Sequence, residues 1–186
     1  MKKKTYALLL ITGIFLIAFS YALDEKLNVL LKNARYPIFD MPLSIITNFA
    51  VAMLIMLLVP CAILYKKNKN AAYMLLSAFV LSVLLSIALK VIVMRHRPMG
   101  DLTYPFTGIL GYSFPSMHSM AVFALLPVLV KCLPKQKIFW IAFAFLVAFS
   151  RIYFGFHFLS DVVFGAIAGC TIGSFLLKSG FIQKMS

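Results

Sequence analysis

An almost unbroken apolar run from Ile138 to Leu177 constrains the fold more than any other feature of the sequence. As a single helix it would be about 60 Å long, at ~1.5 Å per residue, whereas the hydrocarbon core of a bilayer is only about 30 Å thick. The run must therefore turn back near its middle, where Gly155 is the expected chain breaker. This predicts two membrane helices, about Ile138–Phe154 and His157–Leu177, joined at one membrane surface.

The composition extends this interpretation to the whole chain. Of the 186 residues, 63% are hydrophobic and only 12% are charged, which excludes a soluble globular domain. Four further apolar runs are long enough for membrane helices. They are about Tyr6–Leu23, Leu43–Tyr65, Ala71–Met94 and Ser116–Cys132. We therefore expect an all-α fold, a polytopic bundle of six transmembrane helices in a single integral membrane domain, residues 1–186.

The segment Asp24–Met41 is too polar to span a membrane. Its apolar residues recur at helical spacing and form a short amphipathic stripe that ends at Pro37. The members of the stripe are Leu27, Leu30, Leu31 and Ala34. We predict a short amphipathic helix between the first two spans, which lies either in the outer membrane interface or packed as a loop helix.

The distribution of Lys and Arg predicts the orientation. With a cytoplasmic N-terminus, eleven of the 18 basic residues fall on the cytoplasmic side, and all five acidic residues fall on the outer side. We therefore expect a protein of the cell membrane with both termini in the cytoplasm. The basic N-terminus with Ser20 and Ala22 also fits a cleaved signal peptide, but its removal would leave an odd number of spans.

A first polar cluster lies at the predicted outer end of the third span. Arg97 lies seven positions after Lys90, which corresponds to about 700° of rotation, so both would project from one helix face. Pro98 fits a helix that ends just before it. The alternative is that Arg95 and Arg97 merely flank the helix while Lys90 extends towards the interface.

A second cluster, Pro115-Ser116-Met117-His118, begins the fourth span. Ser116 occupies a helix-capping position, and His118 falls in the first turn. The amide groups at such a helix N-terminus suit an anion. Taken alone, His118 is better explained as a histidine satisfied at the membrane interface.

The third cluster surrounds the turn at Gly155. Asp161 lies four positions after His157, so the two would be neighbours on one helix face, with Arg151 across the turn. An aspartate there can accept the imidazole Nδ1–H and leave the other nitrogen as a nucleophile or base. An ion pair or an interfacial anchor is the structural alternative.

The three clusters together predict a phosphate site. Three cations, Lys90, Arg97 and Arg151, face one carboxylate, so the pocket carries a net positive charge and lacks an anion. A phosphate supplies about two negative charges, and the arginine fork suits its oxygens. The cationic surround disfavours a metal ion, and we expect no cofactor. The scattered basic residues do not form a nucleic-acid footprint.

These motifs resemble a known family. Lys90-x6-Arg97-Pro98, Pro115-Ser116-Met117-His118 and Ser150-Arg151-x5-His157-x3-Asp161 are similar, in order and spacing, to the three-part signature of the type 2 phosphatidic acid phosphatase (lipid phosphate phosphatase) superfamily. One position departs from the pattern, because the family usually has Gly where Met117 stands. The larger side chain is expected to narrow the pocket.

The resemblance implies a role for each residue. His157 would attack phosphorus and form a phosphohistidine, Asp161 would orient it, and His118 would protonate the leaving oxygen and then activate water. The phosphoryl oxygens would be held by Lys90, Arg97, Arg151, Ser116 and the amide of Met117. Activity in this family is metal-independent.

The sequence therefore predicts a membrane lipid phosphatase whose active site faces outward and whose partners are a lipid phosphate, water and membrane lipids. Candidate substrates are undecaprenyl diphosphate, phosphatidylglycerol phosphate and phosphatidate, with a lean by analogy towards a polyprenyl diphosphate. A non-enzymatic transporter or binding protein for anions or lipid phosphates is the alternative, although it has little use for a nucleophile paired with an orienting carboxylate. Vanadium-dependent haloperoxidases have a similar pocket but are soluble.

Overall fold

The computed structural model describes residues 3–98 and 108–179, and within these ranges the chain is helical without β-strands. The α-helices are α1 (Lys3–Asn33), α2 (Pro37–Thr47), α3 (Phe49–Met53), α4 (Val59–Lys67), α5 (Lys69–Val93), α6 (Met117–Cys132), α7 (Lys137–Tyr153) and α8 (Leu159–Lys178). A π-helical turn, Leu54–Leu58, joins α3 to α4. The prediction of an all-α fold is confirmed.

Within the described ranges, four helices are long and apolar enough to cross a membrane. They are Phe49–Lys67, Lys69–Val93, Pro134–Tyr153 and Leu159–Lys178. The apolar helix α6 is shorter, with 16 residues. The protein is thus a membrane protein of α-helices, while the count of six spans stays a prediction.

The long apolar run turns back where the sequence predicts it. Helix α7 ends at Tyr153 and α8 begins at Leu159, and between them Gly155 adopts a φ of 68°, a left-handed conformation that suits glycine. The carbonyl of Arg151 accepts hydrogen bonds from the amides of Phe156 (3.0 Å) and His157 (3.2 Å). The turn is therefore tight, and it holds the C-terminal end of α7 beside the start of α8.

The amphipathic segment after the first span differs from the prediction. Residues 24–33 continue α1 without a break, so the stripe from Leu27 is part of α1 and not a separate helix. No Gly or Pro interrupts this stretch, and the buried carboxylate of Asp24 is paired across the bundle with Arg95. The short helix before the next span is α2, which starts at Pro37.

The core is built around α6, whose residues 118–126 are all buried. Helix α8 lies against it along three glycines spaced four residues apart, Gly165, Gly169 and Gly173. A Cβ atom at Gly165 would lie 2.9 Å from the Ser116 carbonyl oxygen, and at Gly169 and Gly173 it would meet α6 backbone even more closely. Small residues on one face let two membrane helices approach to backbone contact, which fixes the N-terminal ends of α6 and α8 relative to each other.

Candidate active site

All eight residues singled out by the three motifs lie at one end of the bundle. This end comprises the C-terminal ends of α5 and α7, the N-terminal ends of α6 and α8, and the segments that lead into those two helices. The eight are Lys90, Arg97, Ser116, Met117, His118, Arg151, His157 and Asp161. Of these, seven are buried, and Met117 is half-buried.

Lys90 and Arg97 come together by a route that the sequence did not predict. Helix α5 ends at Val93, and Met94 caps it with a φ of 47°, so Arg97 lies outside the helix and shares no helix face with Lys90. Instead, both side chains reach the segment before α6. The carbonyl of Tyr112 accepts a hydrogen bond from Lys90 Nζ (2.5 Å) and another from Arg97 Nη2 (3.3 Å).

Arg97 links this segment to the turn before α8. Its Nη1 donates to the Phe156 carbonyl at 2.6 Å and lies 3.3 Å from Nε2 of His157. Its Nε and Nη2 donate to the carbonyls of Gly111 and Leu110, at 2.8 and 2.9 Å. The guanidinium is therefore held beside the predicted nucleophile in a defined orientation.

His157 also lies outside a helix, two residues before α8 begins, so the predicted shared helix face with Asp161 is wrong. The pair nevertheless forms across the helix start, with Nδ1 of His157 3.6 Å from Oδ2 of Asp161. At this distance the two groups are neighbours but lie beyond a normal hydrogen bond. The opposite ring nitrogen, Nε2, faces Arg97.

The surroundings of His157 favour its neutral form. Burial, followed by the positive charges of Arg151, Arg97 and Lys90, lowers the pKa of His157 well below its usual value of 6.5. A neutral imidazole keeps a lone pair on one ring nitrogen. The site therefore holds His157 in the protonation state that a nucleophile requires.

Three groups orient Asp161, which is completely buried. Oδ1 accepts a hydrogen bond from Nη1 of Arg95 at 2.8 Å. Oδ2 accepts one from the amide of Phe158 at 2.9 Å and a short one from the Ser113 hydroxyl. The carboxylate is therefore fixed in position beside His157.

His118 lies in the first turn of α6, as predicted, with its ring edge-to-face against Phe49 at 4.8 Å between centroids. Its Nε2 is buried and meets no hydrogen-bond partner among the described residues. The backbone carbonyl of Thr47 accepts a hydrogen bond from Nη1 of Arg151 at 3.3 Å. The hydroxyl of Thr47 also accepts one from Nη1 of Arg151 at 2.5 Å.

Ser116 caps α6, as predicted, and its hydroxyl accepts a hydrogen bond from the Ser119 amide at 3.4 Å. The Ser116 amide donates to the backbone carbonyl of Asp161 at 3.2 Å, which ties the two helix starts together. The first-turn amides, including that of Met117, form the positive end of the α6 dipole. This end of α6 is suited to an anion.

Several residues that complete the site were missed by the sequence analysis. Thr47 contacts Arg151, and Ser113 and Arg95 hold Asp161. The sequence indicates for Arg95 only a possible flanking position, although its place inside the first motif is a signal that could have identified it. The four-residue spacing of the glycines on α8 is a second signal in the sequence. No local pattern points to Asp24, which pairs with Arg95 although 71 positions separate the two residues.

The arrangement joins the parts needed for phosphoryl transfer to a protein nucleophile. A neutral buried imidazole lies between a carboxylate and a guanidinium, and a second histidine with a buried unpartnered nitrogen belongs to the same helix junction. Phosphoryl transfer depends mainly on positioning and charge neutralisation. Within residues 3–98 and 108–179, no group of three His, Cys, Asp or Glu side chains is arranged to hold a metal ion.

Comparison with protein families agrees with this geometry. The model of the PAP2 superfamily matches residues 70–184, which include all three motifs. The chain belongs to the PAP2 superfamily. The lipid phosphatases of this superfamily are hydrolases that act on phosphate monoesters of lipids.

Two curated relatives are lipid phosphatases. Phosphatidylglycerophosphatase B of Bacillus subtilis is 38% identical over 132 residues, which are 65% of this chain and 62% of the relative. Lipid A 4'-phosphatase of Bacteroides thetaiotaomicron is 29% identical over 174 residues, or 83% of this chain and 75% of the relative. The match thus spans somewhat less than two thirds of the first relative and three quarters of the second.

Two crystal structures share the fold. The transmembrane PAP2-type phosphatidylglycerolphosphate phosphatase of Bacillus subtilis superposes with a TM-score of 0.73 at 28% identity, covering 97% of this chain and 96% of the other. LpxE of Aquifex aeolicus gives a TM-score of 0.69 at 28% identity, covering 84% and 95%. The likeness therefore extends beyond the motifs to almost the whole helical arrangement.

Proposed function

We propose that this protein is a membrane lipid phosphatase that hydrolyses the terminal phosphate of a lipid through a phosphohistidine intermediate. The observation that carries the proposal is the position of His157, with Nδ1 3.6 Å from Asp161 and Nε2 3.3 Å from Arg97. A nucleophile placed between an orienting carboxylate and a phosphate-binding guanidinium meets the requirements of covalent phosphoryl transfer. Membership of the PAP2 superfamily supports the same conclusion.

In the first step, Nε2 of His157 forms a bond to phosphorus while the bond from phosphorus to the lipid oxygen breaks. A protonated His118 donates its proton to the departing oxygen and becomes neutral, so the lipid leaves as an alcohol or as a lipid monophosphate. The attacking imidazole becomes cationic, and Asp161 stabilises that charge through Nδ1–H. The proposed role for Asp161 explains why its carboxylate is oriented by three donors.

In the second step, His118 takes a proton from water, whose oxygen bonds to phosphorus as the phosphorus–nitrogen bond breaks. Inorganic phosphate leaves, and His157 returns to its neutral form. The guanidinium groups of Arg97 and Arg151, the ammonium group of Lys90, the hydroxyl of Ser116 and the amide of Met117 would hold the phosphoryl oxygens. Carbonyl oxygens such as that of Tyr112 hold two of these cations in place and would yield to the more negative phosphate oxygens.

A phosphate monoester of a glycerolipid is the first substrate to test, because one curated relative is named as a phosphatidylglycerophosphatase. Phosphatidate belongs in the same panel, and so does undecaprenyl diphosphate, a polyprenyl diphosphate of the kind that the sequence favours by analogy. Met117 is the first residue of α6, at a position where the family usually has Gly. Its larger side chain would narrow the pocket and favour lipids whose terminal phosphate carries no bulky neighbouring group.

For the membrane topology we propose six spans, formed by α1, the continuous segment Phe49–Lys67, α5, α6, α7 and α8. Both termini would lie in the cytoplasm of a cell membrane, and the active site would face outward. The distribution of basic residues supports this orientation. Helix α2, with exposed Ile38 and Met41, would lie in the outer interface.

The decisive experiment compares His157→Ala with His96→Ala, a matched control at the third histidine of the chain, which is exposed. Purified protein in detergent is assayed for phosphate release from the lipid panel, with EDTA present throughout. We expect His157→Ala to lose turnover and His96→Ala to retain it. Near wild-type turnover of folded His157→Ala would rule the mechanism out. Absence of phosphate release by the wild type from every lipid, together with measurable lipid phosphate binding, would instead favour the binding or transport alternative.

A further inference from the structure

Arg95 forms a bridge between the proposed catalytic carboxylate and a helix from the other end of the sequence. Its Nη1 lies 2.8 Å from Oδ1 of Asp161, and its Nη2 lies 2.8 Å from Oδ2 of Asp24 in α1. One guanidinium thus pairs with two carboxylates, which are both buried. None of the three signature motifs assigns a role to Asp24 or Arg95.

The bridge is closed by Ser160, the neighbour of Asp161. Its amide donates to Oδ1 of Asp24 at 2.9 Å, and its hydroxyl donates to Oδ2 of Asp24 at 2.5 Å. The same hydroxyl accepts a hydrogen bond from Nη1 of Arg95 at 2.7 Å. Asp24 therefore fixes both Arg95 and the first turn of α8. That turn contains Asp161, the carboxylate proposed to orient His157.

Two aromatic rings restrict the guanidinium further. The central carbon of Arg95 lies 4.0 Å from the ring centroid of Phe158 and 5.3 Å from that of Tyr21. Phe158 directly follows His157, and its amide also donates to Asp161. The Phe158 ring and the carboxylates of Asp24 and Asp161 therefore leave the Arg95 guanidinium few orientations.

The charges explain why two carboxylates are needed. If Arg95 were paired with Asp161 alone, its full positive charge would offset the carboxylate and weaken the attraction of Asp161 for the His157 imidazolium. With Asp24 sharing the guanidinium, the three groups together keep a net charge of about −1, which faces His157. The bridge thus orients Asp161 without neutralising it.

We propose that Arg95 and Asp24 are positioning residues for the phosphatase reaction proposed above, acting through Asp161 on His157. Helix α1 is on this view part of the catalytic apparatus rather than only a membrane anchor. The proposal rests on the proposed function for the reaction itself, but Asp24 lies outside the three signature motifs, and Arg95 occupies a position of the first motif that the signature leaves open.

The test is a set of kinetic measurements on purified variants in detergent, with kcat and KM determined separately. Arg95→Gln is expected to lower kcat by about 10- to 100-fold, by analogy with the loss of residues that orient metal-ligating side chains, with KM nearly unchanged. Arg95→Lys should recover part of that loss, because an ammonium group keeps the charge but not the fork. Glu25→Gln, which neutralises the exposed carboxylate next to Asp24, should behave as wild type.

A double-mutant cycle distinguishes positioning from simple support of the fold. Asp24→Asn should lower kcat, and the double variant Asp24→Asn/Arg95→Gln should lose no more than Arg95→Gln alone, since the two residues act as one unit. Wild-type kcat in folded Arg95→Gln, or losses that multiply in the double variant, would overturn the proposal. Thermal unfolding in detergent checks that each variant is folded.

Ser160→Ala supplies the test if the charge variants do not fold, because it removes only the hydroxyl shared by Asp24 and Arg95. A reduced kcat at unchanged KM is expected, and an unchanged kcat would contradict the proposal. His157→Ala in the same assay separates the two levels of inference. If His157→Ala stays active, the proposed reaction fails; if it is inactive while Arg95→Gln is fully active, only the positioning role fails.

Discussion

Gly165→Ala provides a direct test of the idea that helix contact sets the catalytic geometry. Gly165 lies one turn after Asp161, and a Cβ atom there would be 2.9 Å from the carbonyl oxygen of Ser116 and 3.1 Å from the amide nitrogen of Met120. Both atoms belong to the α6 backbone, which cannot turn aside as a flexible side chain can. The methyl group must therefore push α6 and α8 apart.

The size of the effect follows from these distances. Ordinary van der Waals contact begins at 3.4 Å, so the helices must separate by about half an ångström. Overpacking costs about 1–3 kcal/mol, while alanine is about 1 kcal/mol better than glycine within a helix, so stability should fall by only about 0–2 kcal/mol. Catalysis is more sensitive: a 1 Å misplacement costs about 100-fold, and half that displacement between His118 and Asp161 corresponds to about tenfold in kcat.

The assay compares Gly165→Ala with Gly13→Ala, the matched control in α1, where a Cβ atom would meet nothing within 4 Å. Phosphate release from a lipid phosphate gives kcat, and thermal unfolding in detergent gives stability. Gly13→Ala should keep wild-type kcat. Gly169→Ala, which meets the backbone of Met120 and Ala124 more closely but lies one turn farther from Asp161, should lose more stability.

A folded Gly165→Ala protein with wild-type kcat would refute the reasoning, because the helix junction would then tolerate the displacement without loss of alignment. The reasoning would also be refuted if Gly165→Ala lost more than about 2 kcal/mol of stability while its folded fraction kept the wild-type kcat.

Three further predictions concern the site itself. Thr47→Val removes the hydroxyl that accepts a hydrogen bond from Arg151 at 2.5 Å. Because such bonds to charged groups contribute about 1.5–3 kcal/mol, kcat/KM should fall by roughly 10- to 100-fold. Thr47→Ser keeps the hydroxyl and should retain the wild-type kcat/KM, and equal values of kcat/KM for the two variants would contradict a role for this hydrogen bond. Because burial and the neighbouring cations lower the pKa of His157 from 6.5, its imidazole stays neutral as the pH falls through 6.5; the acid limb of kcat/KM that belongs to His157 should lie below pH 6.5 in a pH profile, and a limb above that value would argue against a neutral resting nucleophile. Dialysis against EDTA should leave kcat unchanged, since the proposed steps use only side chains and water; an activity lost on chelation and restored by a divalent cation would show that a metal takes part.

Local features of the sequence were sufficient to predict much of the fold. The length of the apolar runs and the bilayer thickness required a reversal near Gly155, and the structure has it there. Ser116 was recognised as a helix cap from its position before an apolar run. These features depend on interactions among neighbouring residues, so sequence alone determines them.

Predictions that assumed a continuous helix were less successful. The 700° relation between Lys90 and Arg97 required α5 to extend to Arg97, but the helix stops at Val93. Conversely, α1 continues to Asn33 through polar residues that suggested a break. In both places the chain outside the element decides the boundary: carbonyl groups of residues 110–113 bind the two cations, and Arg95 pairs with the buried Asp24.

The sequence by itself determined the class of protein, the turn in the last apolar run and the residue types of the site, because each follows from hydrophobic length or from a short motif. Only the tertiary structure decided how these residues meet. Asp161 accepts hydrogen bonds from Arg95, 66 positions away in the sequence, and from Ser113, 48 positions away. Arg95 also donates to Asp24, 71 positions away. Such contacts leave no periodicity in the sequence, since they form only when the helices pack and bring their ends together.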